Sequence, residues 1–191
     1  AETIRDSTLA VSGRLNLEMH GLGFYPYVPK AVLAGQSRPG DGWGASNERQ
    51  AARRSIYIFS KRGLAVPELD LMDTPDTTAS CEGRRVSVTG PQALTLWNGG
   101  FAQDQARNFA SRLEQEAGAD GKAQVQRAYE LALNRAPRSD EMDKALSFLS
   151  QQALQVENDA KPSGKPVNAK LRALHDFCLV LLNTNEFFYV N

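Results

Sequence analysis

The segment that most constrains this chain is LRALHDFCLVLLNTNEFFYVN, residues 171–191. Leu171, Leu174, Cys178, Leu181 and Leu182 recur at the i, i+3, i+7 spacing of one helix face, and Phe187, Phe188, Tyr189 and Val190 continue the apolar run. So apolar an end on a polar chain must dock on something. Chain ends ordinarily fray, so Phe187, Phe188 and Tyr189 are expected to be buried and Asn191 to be a native C-terminus packed on the body.

The 191 residues can form one domain or two small ones, with a core large enough to need no obligatory staples. A single domain over 1–191, or the C-terminal part of a larger one, is the simplest expectation, with helix plus long coil over 1–98 and a helical bundle over 99–191. Lysine plus arginine and aspartate plus glutamate both number 22, so no global field exists to hold a nucleic acid. No run approaches the length of a membrane-spanning helix. The chain begins at Ala1 inside what reads as a helix, ETIRDSTLAVSG, stopped by Gly13; a fragment or a processed chain is expected.

Residues 14–46 read as irregular, ending in the glycine-rich GQSRPGDGWG. Asn47 suits an N-cap for a helix over ERQAARRSIYIFSKR, although Ile56, Tyr57, Ile58 and Phe59 also fit a short buried strand; a helix is expected. The segment 65–90 reads as extended coil, and Thr89 as the cap of a short helix, PQALTLWN. Apolar stripes then follow at helical spacing: Ala106, Phe109, Ala110 and Leu113; Val125, Ala128, Tyr129 and Ala132; and Met142, Ala145, Leu146, Leu149 and Val156, with Ser139 as N-cap. NDAKPSGKPVN at 158–168 reads as a flexible connection to the last helix. The fold class expected is mainly α, an antiparallel helical bundle with long irregular coil segments in the N-terminal half.

Five blocks taken in order carry a family resemblance: RRSIYIFSKR at 53–62, LMDTPDTTASCEGRR at 71–85, TGPQALTLWN at 89–98, RAYELALNRAP at 127–137 and LLNTNEFFYVN at 181–191. Together they resemble the C-terminal portion of the planctomycete-type, cytochrome-c-associated domain of unknown function 1553. The resemblance implies a large exported parent protein, periplasmic or otherwise extracytoplasmic, in which this domain follows upstream domains that often include a c-type haem domain. It implies no activity. The sequence has no C-x-x-C-H motif, so any haem belongs to another part of the parent protein and no cofactor is expected in this chain.

The implied export would permit a disulfide between Cys81 and Cys178, worth about 4 to 5 kcal/mol in the chain-entropy model; the alternative is two buried free thiols. The two histidines, His20 and His175, are too few for a histidine-rich metal centre, and no metal site is expected. Asp70, Asp73 and Asp76 are a weak calcium candidate, since they lack the alternating spacing and central glycine of an EF-hand; capping turns or pairing with arginines is the structural alternative. Glu68, Asp70 and Asp73 could also be offered as a glycosidase pair, but such a pair is defined by separation in space. Arg53 and Arg54, Lys61 and Arg62, and Arg84 and Arg85 form basic doublets that could grip sulfate, phosphate or a carboxylated sugar, or else pin the coil through those aspartates. Tyr25, Tyr27 and Trp43 could stack on a sugar or a partner, or anchor their loop.

These residues point to a non-catalytic helical docking or scaffolding module of a larger exported protein, whose interaction surface lies on residues 21–46 and 65–90. The alternatives are part of a polysaccharide-active enzyme and a carbohydrate-binding module. The partners expected are the upstream domains of the parent protein and an anionic polysaccharide.

Overall fold

A computed structural model describes residues 1–84, 87–161 and 167–189. It is mainly helical, as the periodicity predicts, and the described residues hold ten α-helices and no named strand. They divide into two compact units, one of residues 1–10 and 14–96, the other of residues 11–13 and 97–191.

The first unit contains most of α1 (Glu2–Val11), the short helices α2 (Lys30–Ala34), α3 (Glu48–Ala51) and α4 (Pro67–Asp70), and the greater part of α5 (Gly90–Asn98). Gly13, with φ +75°, follows α1 as the sequence suggests. Thr89 caps α5 in a reciprocal arrangement: its N–H donates to Gln92 Oε1 at 2.8 Å, and its hydroxyl accepts from Gln92 N at 3.4 Å. The described residues of the long segment 65–90 are coil apart from the single turn of α4 and the start of α5.

The helix expected over 48–62 is not formed. Asn47 does cap α3, accepting from Gln50 N at 2.9 Å, but only one turn follows before a 3₁₀ turn at Ser55–Tyr57. The reason lies in two side chains of α1. In a continued helix Ser55 N–H would donate to the Ala51 carbonyl; instead it donates to Asp6 Oδ1 at 2.8 Å, while Arg5 occupies the Ala51 carbonyl. The Ala52 carbonyl is likewise taken, by Asn16 N at 2.9 Å. The strand alternative fares little better, since Ile56 is exposed and the described residues form isolated bridges alone, parallel at Asn16 with Arg53 and Phe24 with Ile58 and antiparallel at Lys61 with Leu64.

The second unit is built on α6 (Gly100–Ala117), α7 (Gly121–Leu133), α8 (Ser139–Ala160) and α9 (Ala169–Leu182), followed by one turn of α10 (Asn185–Phe188). Asn134 closes α7 in the left-handed conformation and Asp120 opens it by accepting from Lys122 N at 3.0 Å. The connections at 118–120 and 134–138 are therefore tight. Ser139 is not the N-cap of α8 but its first residue; Arg138 is the cap, and its N–H donates to Glu141 at 2.8 Å. Residues 158–160 extend α8, and residues 162–166 of the expected flexible connection lie outside those described.

Helix α9 touches α6, α7 and α8. Its burial is consequently broader than the stripe read from the sequence: Ala173, His175, Phe177 and Leu179 are buried beside Leu174, Cys178, Leu181 and Leu182, while Leu171 is only half-buried. The terminal aromatics do not follow it inside. Phe187 packs partly buried against the core, Phe188 is half-buried against the Phe187 ring, and Tyr189 is 53% exposed. The expectation that all three are buried is thus corrected, and Val190 and Asn191 lie outside the described residues.

Candidate binding groove

Arg53, a candidate for gripping an anion, is spent inside the first unit. It is 4% exposed, and its guanidinium donates to the carbonyls of Glu18 at 3.1 Å, Leu22 at 2.9 Å and His20, while lying 3.9 Å from the centre of the Tyr57 ring. Every contact holds the loop 18–22 in place. Arg5 does the same for the next segment, donating to the carbonyls of Ala51 and Arg53 and to Ser55 Oγ at 3.0 Å. Burial pulls its pKa down from the ordinary arginine value. Arg54 remains half-exposed, 4.0 Å from Asp6.

Arg84 forks onto Glu2 with bonds of 2.7 and 2.9 Å, and the guanidinium holds the Glu2 carboxyl below its usual range. Arg85 lies outside the described residues. Among the described residues, the aspartates do not pair with these arginines. Asp73, at φ +59°, accepts from Ser87 N at 2.7 Å and from Gln92 Nε2 at 3.2 Å, and these donors lower its pKa, the Ser87 amide most. Asp76 accepts from Thr78 N and Oγ1, both at 2.7 Å, in a local turn. Asp70 is exposed at the end of α4, with no side-chain partner among the described residues. No group of three or more His, Cys, Asp or Glu among the described residues is placed to hold a metal ion.

Two open cavities lie side by side in this unit. The first, of about 700 Å³, is lined by apolar side chains including Phe59, Leu64 and Leu69, by Thr74, Thr77 and Thr78, and by the Glu2–Arg84 pair. The second, of about 680 Å³, is lined by Arg38, Lys61 and Arg62 with Asp41. Residues 63–65 and Asp70 line both, so the two adjoin at a shared wall, and the pair is termed the groove. Lys61 is held by the Asp41 carbonyl and Gln36 Oε1, and Arg38 is 3.9 Å from Asp41. Arg62 is exposed and has no partner among the described residues.

Trp43 anchors its loop: its ring meets Tyr25 at 5.5 Å and Phe59 at 6.1 Å between centroids, and Tyr25 meets Phe59 at 4.8 Å. A Cβ at Gly44 would come within 2.7 Å of the Tyr25 ring, so that position requires glycine. Tyr27, by contrast, is 82% exposed.

Both cysteines are free thiols, Cys81 exposed and Cys178 wholly buried, where burial drives its pKa well up. His20, at φ +68°, serves the loop through its backbone, its carbonyl accepting from Arg53 and its N–H donating to Tyr57 Oη at 2.9 Å. His175 is buried in the bundle. Its Nδ1 lies 3.0 Å from Asp176 Oδ1 but out of line for a hydrogen bond, and neither ring nitrogen has one among the described residues. Desolvation lowers its pKa, opposed by Asp176. Asp176 itself is engaged by Arg172 at 3.1 Å and Gln152 at 2.8 Å.

Sequence reasoning missed Arg5, Arg38 and Arg135. The last forks twice in the second unit, onto Glu141 at 2.7 and 2.9 Å and onto Glu186 at 2.6 and 2.8 Å, tying the start of α8 to α10. Its guanidinium depresses the Glu141 carboxyl to about 2. The one available signal was Arg135 itself, inside a block that carries the resemblance.

Residues 1–149 match the family PSD1, described as "Protein of unknown function (DUF1553)". The chain belongs to that family. The DUF1553 match takes in the Arg5–Arg53 clamp, both cavities and four of the five resembling blocks, while α9 and α10 lie beyond it. No curated protein and no solved structure matches this DUF1553 chain.

Proposed function

We propose that this DUF1553 chain is a non-catalytic docking module, with its binding face in the first unit, serving a larger exported, cytochrome-associated protein whose upstream domains are its partners. The observation that carries the reading is the groove. Arg5, Asp6 and Arg53 fix the backbone around 16–24 and 51–55, whereas Arg62 and Asp70 line the groove without a side-chain partner among the described residues. Pre-formed concave surfaces with a few oriented polar groups are binding sites by default. Nucleophilic or acid–base catalysis needs a base within reach of its substrate proton, and the buried imidazole of His175 is a poor candidate for that task.

Calorimetric titration of the remainder of the parent polypeptide with this chain tests the proposal. Saturable binding that Arg62→Glu or Asp70→Lys weakens, with the fold intact by circular dichroism, is expected. Turnover of a polysaccharide or ester panel by the chain, abolished by a groove substitution, would overturn it.

A further inference from the structure

The groove is bipolar, and that limits what can lie in it. Among the described residues, the first cavity sets Glu2, Asp70 and Asp76 against Arg84, whereas the second sets Arg38, Lys61 and Arg62 against Asp41 and the shared Asp70. One end is therefore acidic and the other basic. The groups still uncommitted are of opposite sign: the Asp70 carboxylate in the shared wall and the Arg62 guanidinium at the basic end. A sulfated or carboxylated polysaccharide carries one sign along its length, so whatever it gained at Arg62 it would forfeit at the acidic end.

We infer that the groove takes an extended protein segment that places a basic side chain in the acidic cavity and an acidic side chain in the basic cavity. Two cavities of about 700 and 680 Å³ with a common wall suit several consecutive residues better than one compact ligand. The apolar lining at Phe59, Leu64 and Leu69 accepts side chains between the charged pair, and complementary charge sets the direction of the chain. This identification rests on the docking reading and names the chemistry of its partner.

Fluorescence polarisation on the full chain tests it, with dye-labelled decapeptides holding one lysine and one glutamate in either order at graded spacings, an uncharged decapeptide, and dextran sulfate. Bipolar peptides of one order and spacing should bind, and Asp70→Lys or Arg62→Glu should each weaken them about two- to fivefold, as loss of an exposed charge pair does. The double variant, which brings the acidic cavity to balanced charge, should lose the preference for one order while keeping its fold by circular dichroism. Equal binding of the two orders, or a double variant with unchanged preference, overturns the inference. So does dextran sulfate binding more tightly than any peptide through Arg62, which would favour a polysaccharide ligand. Failure of every peptide while the parent polypeptide still binds overturns the inference and leaves docking standing; failure of both overturns both.

Discussion

Replacing Arg53 with alanine should cost the first unit about 3–5 kcal/mol, because the side chain is structural rather than ligand-binding. Three donor contacts to the carbonyls of Glu18, His20 and Leu22 are lost at once. Each hydrogen bond from a charged donor is worth about 1.5–3 kcal/mol. The stacking on Tyr57 at 3.9 Å adds about 0.5–2 kcal/mol. The gross loss is larger than the net one, since residues 18–22 are exposed and water can reach the freed carbonyls. Arg53→Lys keeps the charge but cannot reproduce the fork, and should recover about half. Urea unfolding followed by Trp43 fluorescence, in a Trp97→Phe background, reads this unit. With a slope of about 2 kcal/mol/M, the midpoint should fall by about 1.5–2.5 M for the alanine variant. Amide exchange at residues 18–24 should accelerate with it. A midpoint lowered by less than about 0.5 M, with exchange unchanged, would refute the clamp and return Arg53 to the ligand candidates.

Stability of the second unit should decline as pH falls below about 6.5, because His175 has a folded pKa lowered by burial and the unfolded chain binds the proton first; His175→Leu should flatten that part of the profile in pH-dependent melts, and an unchanged slope would count against it. A separate loss should appear between pH about 4.5 and about 2, the range over which Glu141 is protonated against the pull of Arg135; Glu141→Gln should remove it. Iodoacetamide should label Cys81 in the native chain and Cys178 only after unfolding; unreduced, unfolded protein with neither labelled would reveal a bridge. Glu186→Gln should speed amide exchange at 185–189 with little change in the midpoint for α6–α9, since it releases one of the two Arg135 forks.

The helices α6, α7, α8 and α9 were legible because each presents apolar residues at helical spacing to helical neighbours, and that period is written directly in the sequence. Caps were legible where a short polar side chain bonds its own backbone, as at Asn47 and Thr89. What was not legible depends on side chains reaching backbone far along the chain. Ser55 N–H leaves the helical pattern for Asp6, a partner 49 positions away, and Arg5 takes a carbonyl 46 positions away. No local window over 47–62 contains either residue. The tail misled for the opposite reason: its apolar run continues past α9, but α10 is a single turn that buries only one side, leaving Tyr189 exposed. The groove was half legible. The doublet Lys61 and Arg62 and the aspartates were candidates by residue type, but only the fold brings Arg38 beside the first and Asp70 into a wall shared by both cavities.

Arginine does three different jobs in this chain, and the oxygen that meets each guanidinium decides which. Arg5 and Arg53 meet mainly carbonyls, which are fixed in the backbone, so the side chain becomes a clamp and is withdrawn from solvent. Arg84 and Arg135 meet carboxylates on other segments and become ties, each forked with two short bonds per partner. Arg62 meets neither among the described residues and is left for a ligand. The doublets Arg53–Arg54 and Lys61–Arg62 are alike in composition, yet one lies beside an aspartate on α1 and a loop short of donors, while the other faces an open cavity. A basic doublet therefore reports a site only when the acceptors around it have already been accounted for. That condition turns the search for this chain's partner from its arginine-rich block as a whole to Arg62 and the wall it shares with Asp70.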